Sequence, residues 1–92
     1  MKKKQPSEEL LKKLNVESWG IWEKEKSEFP WSYDETETCY ILEGDVEVID
    51  PSTGEKIEFK TGDLVQFPKG LNCKWKVKKP VRKYYRFGDL EI

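Results

Sequence analysis

Four side chains in this sequence are the natural candidates for chemistry: Glu37, Cys39, Cys73 and Lys83. The chain has no histidine at all, so no imidazole is available as general base or metal ligand. A glutamate can serve as general base where apolar surroundings raise its pKa. A cysteine is nucleophilic only as its thiolate, which burial and a nearby carboxylate both disfavour. The alternative for both cysteines is packing as small hydrophobes. As a metal set these groups are mismatched, because manganese and iron favour imidazole and carboxylate around an open position. Zinc accepts two thiolates and a carboxylate, but the spacing of positions 37, 39 and 73 is not that of a zinc site. The expectation is no resident metal, no cofactor and two free thiols.

Alternation along strands decides which of these groups share a face. Glu37, Cys39 and Ile41 fall together, with Tyr40 and Leu42 on the opposite face. Phe29, Trp31 and Tyr33 form a second row. Cys73, Trp75 and Val77 form a third and leave Lys74, Lys76 and Lys78 to water. Near the C-terminus Lys83 shares its face with Val81, Tyr85 and Phe87, so a lysine is expected to point into the apolar interior. A buried ammonium persists only if paired, and Glu37 is the expected partner. Lysines 74, 76, 78 and 79 are read as edge protection against pairing between molecules.

The elements that must carry these residues are mostly short strands. Period-two patterning places them at 19–24, 29–33, 36–42, 46–49, 56–60, 64–67, 73–77 and 81–87. Turn chemistry separates them at Gly44 and Asp45, at 50–54 (DPSTG), at Gly62 and at 68–70 (PKG). Before them lies one short helix, with Ser7 as N-cap, Glu8 and Glu9 in its first turn, and an apolar stripe of Leu10, Leu11 and Leu14 ended by Asn15 and Val16. The division is an N-terminal segment, 1–18, and a β-barrel domain, 19–92. Tyr40 and Leu42 need a cover, which the helix or a second subunit would supply.

Two runs carry a family resemblance. The first is ETCYILEG at 37–44, a glutamate and a glycine with six residues between them, preceded by the aromatic FPWSYD at 29–34. The second is GDLVQFPKGLNC at 62–73, with glycine, proline and glycine at fixed spacing. Together they resemble the two motifs of the cupins, and the stretch from Trp19 to Phe87 is similar to the small single-domain cupins of the (S)-ureidoglycine aminohydrolase group. The resemblance implies an all-β cupin jelly roll, a double-stranded β-helix, with one short N-terminal helix. In the cupin ligand slots only Glu37 is kept, while Trp31, Tyr33 and Cys73 stand where the resemblance expects histidines. Folding the strands as the family does brings Trp31, Tyr33, Glu37, Cys39, Cys73, Trp75 and Lys83 to one cavity. The residues of this cavity give the leading reading, binding of a small polar metabolite without metal, with Glu37 and Lys83 fixing its polar groups. If there is catalysis, Glu37, Cys73 and Lys83 are the candidates, Lys83 stabilising the Cys73 thiolate. The rival enzyme reading is ammonia release from a ureido or amide substrate.

Composition narrows the partners. With 17 basic and 18 acidic residues the net charge is −1, so no global field points to nucleic acid or an anionic membrane. Lysines interleaved with tryptophans leave single-strand nucleic-acid binding as a third, weaker reading. Charge carried mainly by Glu and Lys, with few Asn, Gln and Met, matches the hyperthermophile pattern. No apolar run follows Lys2–Lys4 or approaches membrane-spanning length, so a cytoplasmic protein is expected. A domain of this size buries only about 60 to 65% of its unfolded surface, and a homodimer is the expected source of added stability.

Overall fold

The computed structural model describes all 92 residues, Met1 to Ile92. Its elements are β1 (Lys2–Lys4), α1 (Glu8–Leu14), β2 (Gly20–Lys24), β3 (Ser27–Ser32), β4 (Glu37–Ile49), β5 (Lys56–Lys60), β6 (Leu64–Phe67) and β7 (Asn72–Phe87), with a 3₁₀ turn at Val16–Ser18. Every strand pairing is antiparallel.

Two long strands, β4 and β7, organise everything else. The first half of β4 pairs with β6 on one side and with the end of β7 on the other. Its second half pairs with β5 and with the start of β7. Consequently one layer runs β1, β6, β4, β7, β2, and the other runs β5, β4, β7, β3, with β4 and β7 bending from one layer into the next. This is an all-β jelly roll. Its core lies between the layers, with Ile41, Val46, Val48, Phe59, Val65, Phe67, Trp75 and Val77 almost fully buried.

The bend explains why four predicted segments are two strands. Segments 36–42 and 46–49 join through Gly44, whose φ of 125° is open to glycine alone among common residues. Opposite it, 73–77 and 81–87 join through Pro80. Register shifts between Ile41 and Val46 absorb the extra residues as bulges. They also switch parity: Glu37, Cys39 and Ile41 face inward before the bend, Val46 and Val48 after it. An ideal Cβ on Gly44 would lie 2.9 Å from the Val81 Cα, so the two long strands cross here at backbone contact.

Two further features depart from the expectations. Lys2–Lys4 form β1 against β6, a strand with no apolar alternation to reveal it; Lys3 Nζ donates to the Glu58 carbonyl at 2.8 Å. The lysine row of β7 is not edge protection, because Lys74 and Lys76 lie between β3 and β4 and are paired on both sides. These lysines face water opposite acids: Glu28 and Glu47 flank Lys76 in register, and Lys78 Nζ is 3.6 Å from Glu58.

The helix does cover the outer face. Ser7 accepts from the Leu10 N–H at 3.1 Å, and Asn15 ends α1 in the left-handed conformation. Leu10, Leu11 and Leu14 then pack with Val16, Trp19, Leu64, Tyr40 and Tyr84, joined by Leu90 and Ile92 from the C-terminal tail. Gln66 fastens that tail, donating to Thr38 Oγ1 and to the Leu90 carbonyl. No helix is long and apolar enough to cross a membrane.

Gly44→Ala is expected to destabilise by several kcal/mol, since strain of about 1–3 kcal/mol adds to a backbone clash. At Gly54, where φ is 78° and a Cβ would meet nothing, Ala is expected to cost only about 1–2 kcal/mol. Urea unfolding of both variants checks the difference, and equal losses would refute the crossing.

Candidate functional site

Between the layers lies a cavity of about 170 Å³, partly open to solvent. β7 contributes Trp75, Lys83, Tyr85 and Phe87, and β4 contributes Glu37. Phe29 and Trp31 come from β3, Trp22 from β2, and Tyr33 from just beyond β3. The Tyr33 backbone is held by the turn after β6, accepting from Gly70 N–H at 2.8 Å and donating to the Leu71 carbonyl at 3.0 Å. Seven of the nine lining residues are aromatic, so the two charged ones dominate the polarity.

Those two form an ion pair. Lys83 Nζ donates to Glu37 Oε1 at 2.8 Å, and each residue is only 4% exposed. The same ammonium donates to Cys39 Sγ at 3.3 Å and lies over the rings of Trp75 and Trp22, 4.7 and 4.8 Å from their centroids. The Cys39 thiol in turn donates to Glu37 Oε1 at 2.8 Å. Register explains the convergence. Trp22 pairs with Lys83 across β2 and β7, while Ile41 pairs with Lys83 across β4 and β7.

Burial opposes the Lys83 charge, but the Glu37 carboxylate, with the hydrogen bonds to Glu37 and Cys39, outweighs it and holds the ammonium above the ordinary lysine value. Cys39 is itself pushed far up, chiefly by burial, so it stays a neutral thiol at ordinary pH and the balancing charge is that of Glu37. Tyr33 is likewise kept neutral by burial and by the Glu37 charge. Its hydroxyl accepts from Trp75 Nε1 at 3.2 Å, which leaves the phenolic proton to donate. Both protein hydrogen bonds to Glu37 land on Oε1. No buried side-chain oxygen lacks a partner, so Oε2 is the oxygen that reaches accessible space.

A metal ion does not fit this site. No three residues among His, Cys, Asp and Glu converge anywhere in the structure. Glu37, the one family ligand kept, is already neutralised by an ammonium 2.8 Å away. A divalent cation at that carboxylate would have to displace or repel Lys83.

The expected cavity residues divide into three groups. Tyr33, Glu37, Trp75 and Lys83 line it, and Trp31 lines its mouth at 47% exposure. Cys39 lies behind the ion pair, wholly buried. Cys73 is a correction: it is buried in the core and is not among the residues lining the cavity, its thiol directed to the Trp31 carbonyl at 3.6 Å. Lys83 contacts Cys39 and not Cys73, so it does not stabilise a Cys73 thiolate. Burial first, then the charges of Asp50 and Glu37, push the Cys73 thiol up to about 11. Sequence reasoning left Trp22, Phe29, Tyr85 and Phe87 out of the site. For Tyr85 and Phe87 the signal was their shared face with Lys83, and for Phe29 its row with Trp31 and Tyr33. For Trp22 it was the alternation with Ile21, which is 49% exposed. Gly20 makes room for Tyr85, since a Cβ there would lie 2.7 Å from the ring.

Comparison with known proteins identifies the scaffold. Residues 11–85 match the EutQ-like cupin domain, and the chain belongs to that family. It is similar to a DUF861 family protein from Thermotoga maritima, at 59% identity over 95% of this chain and 98% of that one, with a TM-score of 0.92. It is also similar to the EutQ protein of Clostridium difficile (26% identity, TM-score 0.67) and to a putative ethanolamine utilization protein Q from Salmonella typhimurium (29% identity, TM-score 0.66). Both alignments cover 74% of this chain, but only 52% and 54% of those proteins. A comparison with curated proteins finds no match.

Lys83→Met leaves a buried unpaired carboxylate and is expected to cost about 3–5 kcal/mol. The double variant Lys83→Met/Glu37→Gln should recover part of that, and a strictly additive cycle in urea unfolding would remove the ion pair from the argument. Stability should also fall on the alkaline side. Cys73 ionises in the unfolded chain near 9.0 and in the folded one near 11, so folding is progressively disfavoured between them, by up to about 1.4 kcal/mol per pH unit. The Lys83 contribution, from a raised pKa, is complete below about 10.5 and is lost as pH rises through the folded value. Thermal melts of the wild type and Cys73→Ala should show a shallower decline between pH 9 and 11 in the variant. Equal slopes would count against the perturbed thiol.

Proposed function

We propose that this chain binds a small polar molecule in the barrel without a metal, Glu37 and Lys83 fixing its polar groups and Trp31, Tyr33 and Trp75 packing its apolar surface. The observation that carries the reading is the cavity itself. It is lined almost wholly by aromatic rings, partly open to solvent, and has two convergent charged groups in its wall. An interior evolved only for stability has no need of a charged pair there, because apolar replacements of similar volume are often as stable.

Ammonia release from a ureido or amide substrate is the rival reading. One observation favours it: a carboxylate and an ammonium 2.8 Å apart lie together in the cavity lining. Against it stands the absence of a fitting metal donor set, and Cys73 lies outside the cavity as a substitute nucleophile. The single-strand nucleic-acid reading has less support still, since the cavity takes up Trp75 while Lys74, Lys76 and Lys78 face the opposite way. A homodimer stays part of the proposal, with Ile21, Trp31 and Phe87 as its exposed apolar residues.

Indole proton resonances provide the test. Trp22, Trp31 and Trp75 line the cavity, whereas Trp19 donates to the Leu14 carbonyl under the helix. Adding a low-molecular-weight cell extract should shift the first three and leave Trp19 in place. If all four stay unmoved, or shift together, the barrel is not a binding site for these molecules.

A further inference from the structure

The charge balance in the cavity wall limits what can enter. Glu37 and Lys83 cancel each other, and both are 4% exposed within an aromatic enclosure. Tyr33 and Cys39 stay neutral beside them. An ion brought into this enclosure would lose its hydration with no opposite charge free to receive it. Cation–π attraction does not change the outcome, because the faces of Trp22 and Trp75 already hold the Lys83 ammonium.

Hydrogen-bonding capacity is left over, however. Glu37 Oε2 accepts from no protein group, and the Tyr33 hydroxyl keeps a proton to donate. Glu37 and Tyr33, one with an acceptor and one with a donor to spare, both line the same small cavity. Its volume of about 170 Å³ compares with the ~150 Å³ apolar cavity that admits benzene. One ring with a short polar substituent fills it.

We infer that the site selects an uncharged, flat molecule bearing an N–H donor beside a carbonyl acceptor, a carboxamide or lactam on a single ring, with the N–H on Glu37 Oε2 and the carbonyl on the Tyr33 hydroxyl. This rests on the binding reading above and sharpens it. In place of a metal ion, Lys83 serves as a fixed internal cation that makes the pocket electroneutral, so amino acids, carboxylates and free amines are rejected.

Three single-ring probes of similar size and different charge test this: benzamide, benzoate and benzylammonium. In titrations read by the indole resonances, the wild type should bind benzamide about tenfold or more tightly than either ion. Glu37→Gln leaves a net positive pocket and should turn the preference to benzoate. Lys83→Met leaves a negative one and should turn it to benzylammonium. Lys83→Met/Glu37→Gln should return it to benzamide, and an unshifted Trp19 resonance certifies folding in each variant. If a single variant fails to fold, the wild-type ranking and the double variant decide. A wild type that takes either ion as tightly as benzamide, or a Glu37→Gln preference that stays with benzamide, overturns the neutrality rule and leaves the pocket standing. No binding of any probe at its solubility limit overturns the pocket and the rule together.

Discussion

Placing Lys83 and Glu37 side by side inside the barrel constrains most of what surrounds them. Each charge alone would cost several kcal/mol to desolvate, so neither position tolerates independent change, and the strands that carry them must keep a fixed relation. That relation is set by the long β4 and β7 pairing, which aligns Ile41 with Lys83 and Cys39 with Tyr85. The remaining ammonium protons need partners too, and Cys39 and the two indoles supply them. Trp22 therefore belongs to the ion pair as much as to the wall. Even the backbone crossing at Gly44 serves the same end, since it fixes Val81 two residues before Lys83.

Much of this was legible in the sequence because strand parity is a strict rule with few exceptions over short distances. A lysine on the face of Val81, Tyr85 and Phe87 has to go inward or break the core, and it goes inward. Leu10, Leu11 and Leu14 were legible for the same reason as a helical stripe seeking the uncovered Tyr40. What parity cannot express is a bulge. Across Gly44 the inward face passes from odd to even positions, and no count along the sequence shows where the step falls. β1 was invisible on other grounds. A strand of three lysines is defined by the free edge of β6, not by its own side chains.

Cys73 shows a different limit. Its face was read correctly, and it is buried beside Trp75 as parity requires. Yet sharing an inward face does not place two residues at one cavity when the interior is filled by large rings. Trp75 stacks on Phe29 and packs edge-on against Phe59, and Trp75 lines the cavity while Cys73 does not. A motif slot transfers a backbone position. What a side chain can reach from that position depends on neighbours from other strands.

The same reasoning bears on how one scaffold supports unlike sites. In the slots where the cupin resemblance expects imidazoles, this chain has an indole, a phenol and a thiol, and it gains an ammonium from β7. Removing metal ligands alone would leave Glu37 buried and unpaired, while adding Lys83 alone to a site with a bound cation would place two positive charges together. The two changes are stable only in combination. A buried lysine on the β7 face opposite Glu37 balances that carboxylate from within the chain itself. Relatives with an apolar residue at that position need something else to balance the glutamate.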